Sequence, residues 1–211
     1  MSSQNNPLID AMTNPVMNSP LRATGEPSRW VARFAPLVKP GGAVLDLACG
    51  GGRNMRHFLG LGHKAVGIDL DLRGVEDLRI HSKAEIVAAD LEREGPLPFA
   101  GRTFAAVVVT NYLHRPLFPA LIAALEPGGV LIYETFARGN ERIGRPVSPA
   151  FLLRSGELLD LVRGRLQVVA YEHGEVSLPK AAIVQRICAV NDLEARPDLD
   201  GDPQPYPLPV G

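Results

Sequence analysis

The 211-residue sequence predicts a doubly wound α/β fold, and three observations carry that reading. Short continuous apolar runs alternate with amphipathic stretches of helical period, the pattern of a parallel sheet covered on both faces. The first apolar run, VLDLA, passes into a helical stretch through the glycine turn CGGGRN. The last two runs adjoin with only a loop between them, which is most simply an antiparallel β-hairpin closing the sheet.

Each element has a local reason. EPSRWVARFAPLVKPGG predicts a helix capped by Ser28 whose Trp30, Val31, Phe34 and Leu37 cover the sheet. The runs at 43–48, 64–69, 84–90, 103–110 and 128–134 are short, apolar and partly β-branched, and predict strands. Between them, 53–62 has helical spacing with Met55, Phe58, Leu59 and Leu61 near one side, and 72–81 and 116–125 are predicted helices. A helix is also predicted over 149–163, followed by strands at 166–172 and 181–190.

Composition narrows the function. Hydrophobic residues make up 45% and charged residues 21%, with a formal net charge of −1, so no global field favours nucleic acid or an anionic membrane. Two cysteines far apart in sequence argue against a disulfide framework and for a reducing, cytoplasmic location. The N-terminus has no signal-peptide pattern, and no run has the length of a membrane span. The segment 1–25 is polar and proline-containing, and 191–211 is rich in proline and acid, so both are expected to be flexible appendages to one domain over 26–190. No metal-ligand spacing and no serine or cysteine nucleophile motif is present.

Ligands in such folds bind beyond the carboxyl ends of the strands. Gly50, Gly51 and Gly52 lie there, and glycines let a ligand approach the backbone at a helix start. A tight turn with no ligand would use the same residues. The acidic series adds to them: Asp46 before the turn, Asp69 at the second strand end, about 20 residues past the glycines, and Asp90 at the third. Asp69 is placed to take a ribose hydroxyl pair and Asp90 an adenine amino group. A dinucleotide fingerprint beginning at Gly50 would need glycine at 55, where Met55 stands, so the dehydrogenase reading weakens.

The motifs DLACGGG, GID, AADLE and EPGGVL, in that order, resemble those of class I S-adenosylmethionine-dependent methyltransferases over about residues 28–190. The resemblance implies a Rossmann-like, mostly parallel seven-stranded sheet with a C-terminal antiparallel β-hairpin and helices on both faces. It implies S-adenosyl-L-methionine as cofactor, with Ala48, Cys49, Gly50 and Gly52 at its methionine part and Asp46 orienting its amino group through water. Asp69 would take the ribose, Leu70 would pack beside the adenine, and Asp90 with Leu91 would adjoin it. Thr110 and Asn111 would complete the methionine pocket, while Asn54 opens the helix after the turn. Ala48 departs from the family's usual first glycine, which should narrow the turn without blocking it. CGxGRN and the GEL-containing helix near 156–158 are similar, more loosely, to small tellurite-resistance-type methyltransferases.

The acceptor side is expected after the fourth and fifth strands. His114 is the leading acid/base candidate because its ordinary pKa is near neutral, although a helix-start hydrogen bond would also account for it. Glu134 is the second catalytic candidate, with pairing to a nearby arginine as the alternative. Tyr112, Arg115, Tyr133, Phe136, Arg138 and Arg142 are candidate substrate residues, and 135–148 is the expected lid or recognition loop. The reading is methyl transfer to a small molecule. The rivals are an RNA- or protein-modifying methyltransferase using the arginines at 138–145, and a cofactor-binding module without acceptor chemistry.

Overall fold

The computed structural model describes residues 25–193 and 203–209. Seven strands form one sheet in the order β3-β2-β1-β4-β5-β7-β6: β1 Ala43–Leu47, β2 Lys64–Asp69, β3 Ala84–Ala88, β4 Phe104–Thr110, β5 Leu125–Phe136, β6 Gln167–Val176 and β7 Ala182–Val190. β1 to β5 pair in parallel. β7 lies antiparallel to both β5 and β6, so the expected closing hairpin is present, with its second strand inserted inside its first. Strand order reverses between β1 and β4, where the crevice of a doubly wound sheet opens.

Among the described residues four α-helices cover the sheet: α1 Arg29–Phe34, α2 Arg53–Gly60, α3 Phe118–Ala123 and α4 Glu157–Val162. The six residues of α1 are too few to stand alone in water. Ser28 caps the helix by accepting the N–H groups of Trp30 and Val31. Burial of Trp30, Val31 and Phe34 holds it to the sheet, as does the Trp30 indole, which donates to the Ile187 carbonyl on β7 at 3.1 Å.

Side chains alternate across a strand. Val44, Ala106, Val108, Val130 and Ile132 therefore face α1 and Phe58 of α2. Leu45, Leu47, Val107, Val109, Leu131 and Tyr133 face α3 and α4. The same alternation carried to the carboxyl ends puts Asp46, level with Val108, and the directly paired Thr110 and Glu134 on the α1 face, where polar residues replace the apolar row.

Three predicted helices differ from the structure. Over 72–81 only a 3-10 turn forms, Glu76–Ile80, because this segment closes over the glycine turn: Val75 packs where a Gly52 side chain would be. The stretch 149–163 is broken between a 3-10 turn, Pro149–Phe151, and α4, because Leu153 bridges to Ala137 and continues the sheet edge. Over 116–125 the α-helix is short and preceded by a 3-10 turn at Arg115–Leu117. Leu61, expected on the apolar side of α2, is 53% exposed beyond its end. His63, just before β2, is buried with Nδ1 3.1 Å from the Gly42 carbonyl oxygen.

Within the expected C-terminal tail, residues 203–209 run along the sheet. Gln167 donates to the Gln204 carbonyl at 2.7 Å, Arg33 of α1 donates to that of Pro209 at 3.0 Å, and Tyr206 packs on the α1 core. Residues 1–24, 194–202 and 210–211 of the expected appendages lie outside the described ones.

Candidate active site

The turn from β1 to α2 is held in the left-handed region at three positions, Ala48 (φ 53°), Gly50 (φ 56°) and Gly52 (φ 71°). Ala48 thus occupies a conformation glycine adopts far more readily. Gly50 donates its N–H to Asp69 Oδ2 at 2.7 Å, and Asp69 Oδ1 accepts from the Asp71 N–H at 3.0 Å. The glycines also serve the protein itself. A Cβ on Gly52 would stand 2.5 Å from Val75 Cγ1, and one on Gly74 would stand 2.8 Å from the Gly51 Cα. Of the three turn glycines Gly52 is required by packing of the 72–78 segment, and Gly74 is required by its own close approach to Gly51.

Asp46 is buried beneath the turn. Its Oδ2 accepts the Met55 N–H at 2.9 Å, anchoring the start of α2, while its buried Oδ1 has no hydrogen-bond partner among the described residues. Burial pushes the carboxyl up to about 7, although the Met55 N–H and the Arg53 guanidinium pull the other way. A cation arriving at Oδ1 would satisfy that atom and restore the charge.

Around this carboxylate the predicted cofactor residues divide. Leu70 is 58% exposed at the end of β2, open to a planar ring. Asp90 is exposed after β3 and accepts the Glu92 N–H at 2.9 Å. Asn111, at φ 55°, turns the chain after β4 and ties it to β5 through the Glu134 carbonyl, 2.9 Å away. Leu91 and Cys49 are buried in two different core clusters. Asn54 works inside the protein: it accepts the Ser28 N–H at 3.0 Å and donates to the Thr110 hydroxyl at 3.0 Å. Its amide brackets the N-terminal segment to the end of β4.

Glu134 also has internal partners. It accepts from the Ser28 hydroxyl at 2.9 Å and forms an ion pair with Arg186. Arg186 in turn reaches Glu172 at 3.2 Å. These residues stand opposite one another on β5, β7 and β6, a charge ladder across three strands. For Glu134 the structure supplies the arginine partner of the paired-carboxylate alternative.

Arg115 has internal partners as well. Its guanidinium meets both oxygens of buried Glu157, at 2.6 and 3.0 Å, and the carbonyls of Ala150 and Leu152. It fastens the turn after β4 to α4. Tyr133 is buried on the opposite face of the sheet and donates to the Tyr112 carbonyl at 2.9 Å, so it is a core residue. Tyr112 is buried too, and its hydroxyl lacks a partner among the described residues. Phe136 is half-buried at the end of β5, and Arg138 and Arg142 are exposed.

His114 remains open. It lines a cavity of about 330 Å³ beyond the carboxyl ends of β3 and β4, with Glu92, Leu113, Arg115, Pro116, Ala150 and Phe151. Burial lowers its pKa below the ordinary 6.5, with Asp90 opposing in part. Its ring is therefore neutral at pH 7 and able to accept a proton. A larger cavity, about 490 Å³, lies at the opposite, amino end of β4 beside Thr103 and Ala124, away from the turn.

A family model described as a methyltransferase domain matches residues 44–129. The ubiquinone biosynthesis O-methyltransferase of Paraburkholderia phytofirmans is 30% identical over 158 residues, 64% of this chain and 67% of that protein. The chain belongs to the class I S-adenosylmethionine-dependent methyltransferases. This methyltransferase is also 30% identical over 118 residues to the enzyme of the same name from Thiobacillus denitrificans, spanning half of its length (50%). Among solved structures, TehB from Haemophilus influenzae superposes with a TM-score of 0.63 at 16% identity, covering 77% of this chain and 61% of that one. That likeness concerns the fold. The methyltransferase has no helix among its described residues long and apolar enough to cross a membrane.

The residues present fit the family's methyl donor: the unpartnered Asp46 Oδ1 suits its ammonium, and Asp69 and exposed Leu70 suit a nucleoside. Sequence reasoning missed Glu157, Arg186, Val75 and Glu92. Arg186 and Glu134 could have been paired from their inward positions on adjacent apolar strands, where a charge needs a partner.

Proposed function

We propose that the protein methylates a hydroxyl group of a small molecule bound in the cavity beside His114. S-adenosylmethionine supplies a methyl group already activated on a sulfonium. The protein's part is to hold donor and acceptor in line and to exclude water. Asp46 and Asp69 would hold the two ends of the donor's methionine and ribose parts, with Asp90 and Leu70 at the adenine. His114, neutral and without a hydrogen bond to the described residues, would accept the hydroxyl proton.

The observation that carries this reading is that a neutral histidine lines a cavity of small-molecule size at the carboxyl ends of the strands. The name of the relatives, O-methyltransferase, supports oxygen as the atom methylated. The test is transfer of labelled methyl from S-adenosylmethionine to a panel of phenols, carboxylates, thiols, chalcogen anions and transfer RNA. Methylation of phenols is expected. Transfer confined to RNA, or failure to bind S-adenosylmethionine by calorimetry, would overturn the proposal.

A further inference from the structure

The cavity that holds His114 also holds Glu92, the last residue of AADLE, to which the sequence reading gave no role. Its Oε1 is buried and has no hydrogen-bond partner among the described residues, and its backbone is fixed by the bond from its N–H to Asp90 Oδ1. A buried carboxylate oxygen left unpaired is costly unless something arrives to donate to it. His114 does not do so, since the two side chains line the same cavity without a hydrogen bond between them.

The charge around the cavity is one-sided. Its only lining cation is Arg115, and that guanidinium is neutralised by Glu157 and two backbone carbonyls. Arg138, Arg142, Arg145 and Arg154 are exposed and none of them lines the cavity. Asp90 adds a second negative charge close enough to raise the Glu92 carboxyl, and burial raises it further.

We propose that Glu92 binds the acceptor: it selects small molecules that carry, besides the hydroxyl to be methylated, a second hydrogen-bond donor such as a hydroxyl or an ammonium, and disfavours carboxylates and phosphates. The inference rests on the reading of this cavity as the acceptor site. It assigns no acceptor contact to Arg138 and Arg142, the candidate substrate arginines of the 135–148 loop. A donor group meeting Glu92 would also turn the reacting hydroxyl toward His114, which makes the contact a matter of orientation as well as affinity.

Calorimetry on protein saturated with S-adenosylhomocysteine tests this without depending on turnover. The probes are tyramine, 4-hydroxyphenylethanol and 4-hydroxyphenylacetate, which share a phenol and differ only in the second group. Tyramine and the alcohol are expected to bind at least about tenfold more tightly than the carboxylate, the scale of one hydrogen bond to a charged group. Glu92→Gln should reduce that preference to within about threefold, and Glu92→Asp, which keeps the charge, should retain the order. A preference for the carboxylate, no binding of any probe, or an unchanged order in Glu92→Gln would overturn the assignment. Methyl transfer to the probe that binds is then measured separately: binding without transfer counts against hydroxyl methylation while leaving the role of Glu92 standing.

Discussion

The carboxylate of Asp69 reaches back across the glycine turn to the Gly50 N–H, 2.7 Å away, so the end of β2 fastens the loop between β1 and α2. A residue expected to meet the ribose is at the same time the latch of the loop that meets the methionine part. Asp69→Ala should therefore lose both stability and cofactor. With two bonds to an ionised group removed, the expected cost is about 3 kcal/mol in chemical denaturation, and affinity for S-adenosylhomocysteine should fall at least about a hundredfold. Asp69→Asn, which keeps one acceptor oxygen, should recover part of the stability. Unaltered affinity in Asp69→Ala would contradict the assignment.

Gly52 is constrained twice, by its φ of 71° and by Val75 Cγ1 standing 2.5 Å from where a Cβ would be. Gly52→Ala is expected to destabilise the protein by more than about 2 kcal/mol, combining left-handed strain with a steric clash. Adding Val75→Ala removes the clash and not the strain. The double variant should thus be more stable than the sum of the single effects by at least about 1 kcal/mol, measured in a double-mutant cycle.

Asp46 makes the protein sensitive to pH in a direction opposite to that of a salt-bridged carboxylate. Its folded-state pKa is about 7 against an ordinary 3.8, so between those values the folded chain holds a proton that the unfolded chain has released. Stability should fall as pH rises through that window, by up to a few kcal/mol, and Asp46→Asn should flatten the dependence. Binding of S-adenosylhomocysteine should respond in the other sense. Its ammonium needs the ionised carboxylate, so affinity should rise from pH 6 toward pH 8 in the unmodified protein, a rise that Asp46→Asn should abolish.

His114 and Glu134 should separate in kinetics. His114→Ala is expected to lower kcat on a phenolic acceptor by about a hundredfold or more, the usual scale of a lost general base. Because burial lowers the His114 pKa, the acid limb of the rate profile should lie below pH 6.5, with activity lost as pH falls through it. Glu134→Gln keeps an acceptor for Ser28 and should leave kcat within about threefold while lowering the melting temperature, because it strips a partner from Arg186. Equal losses of kcat in both variants would restore Glu134 to the catalytic group.

The sheet was legible because its signals are collective. Continuous apolar runs such as AVLDL and FAAVVVT cannot belong to anything but buried strands at that length, and a loop alone between β6 and β7 announced the antiparallel pair. The short helices were less so. At 72–81 the residues have helical spacing, but the close approach of Gly74 to Gly51 decides the local backbone, and that contact spans two segments. The site divides in the same way. Asp46 and Asp69 were visible from their places at strand ends, whereas Asn54, Arg115 and Glu134 are polar residues whose roles depend on the partners they find: Ser28 and Thr110 for the first, Glu157 and Arg186 for the other two. Glu92 was hidden because a glutamate in a polar loop is indistinguishable in sequence from one in water.

The insertion of β7 between β5 and β6 sets an order of events during synthesis. Trp30 donates to a carbonyl of β7, and Ser28 is bound to Glu134, whose ion pair is with Arg186 of the same strand. The helix leading into the site therefore emerges from the ribosome long before the strand that holds it. A nascent chain ending short of residue 182 would carry the glycine turn and all three aspartates yet lack the Ile187 carbonyl and the Arg186 guanidinium that anchor Trp30 and Glu134, and it is expected to bind S-adenosylhomocysteine more weakly until the final strand slides into place.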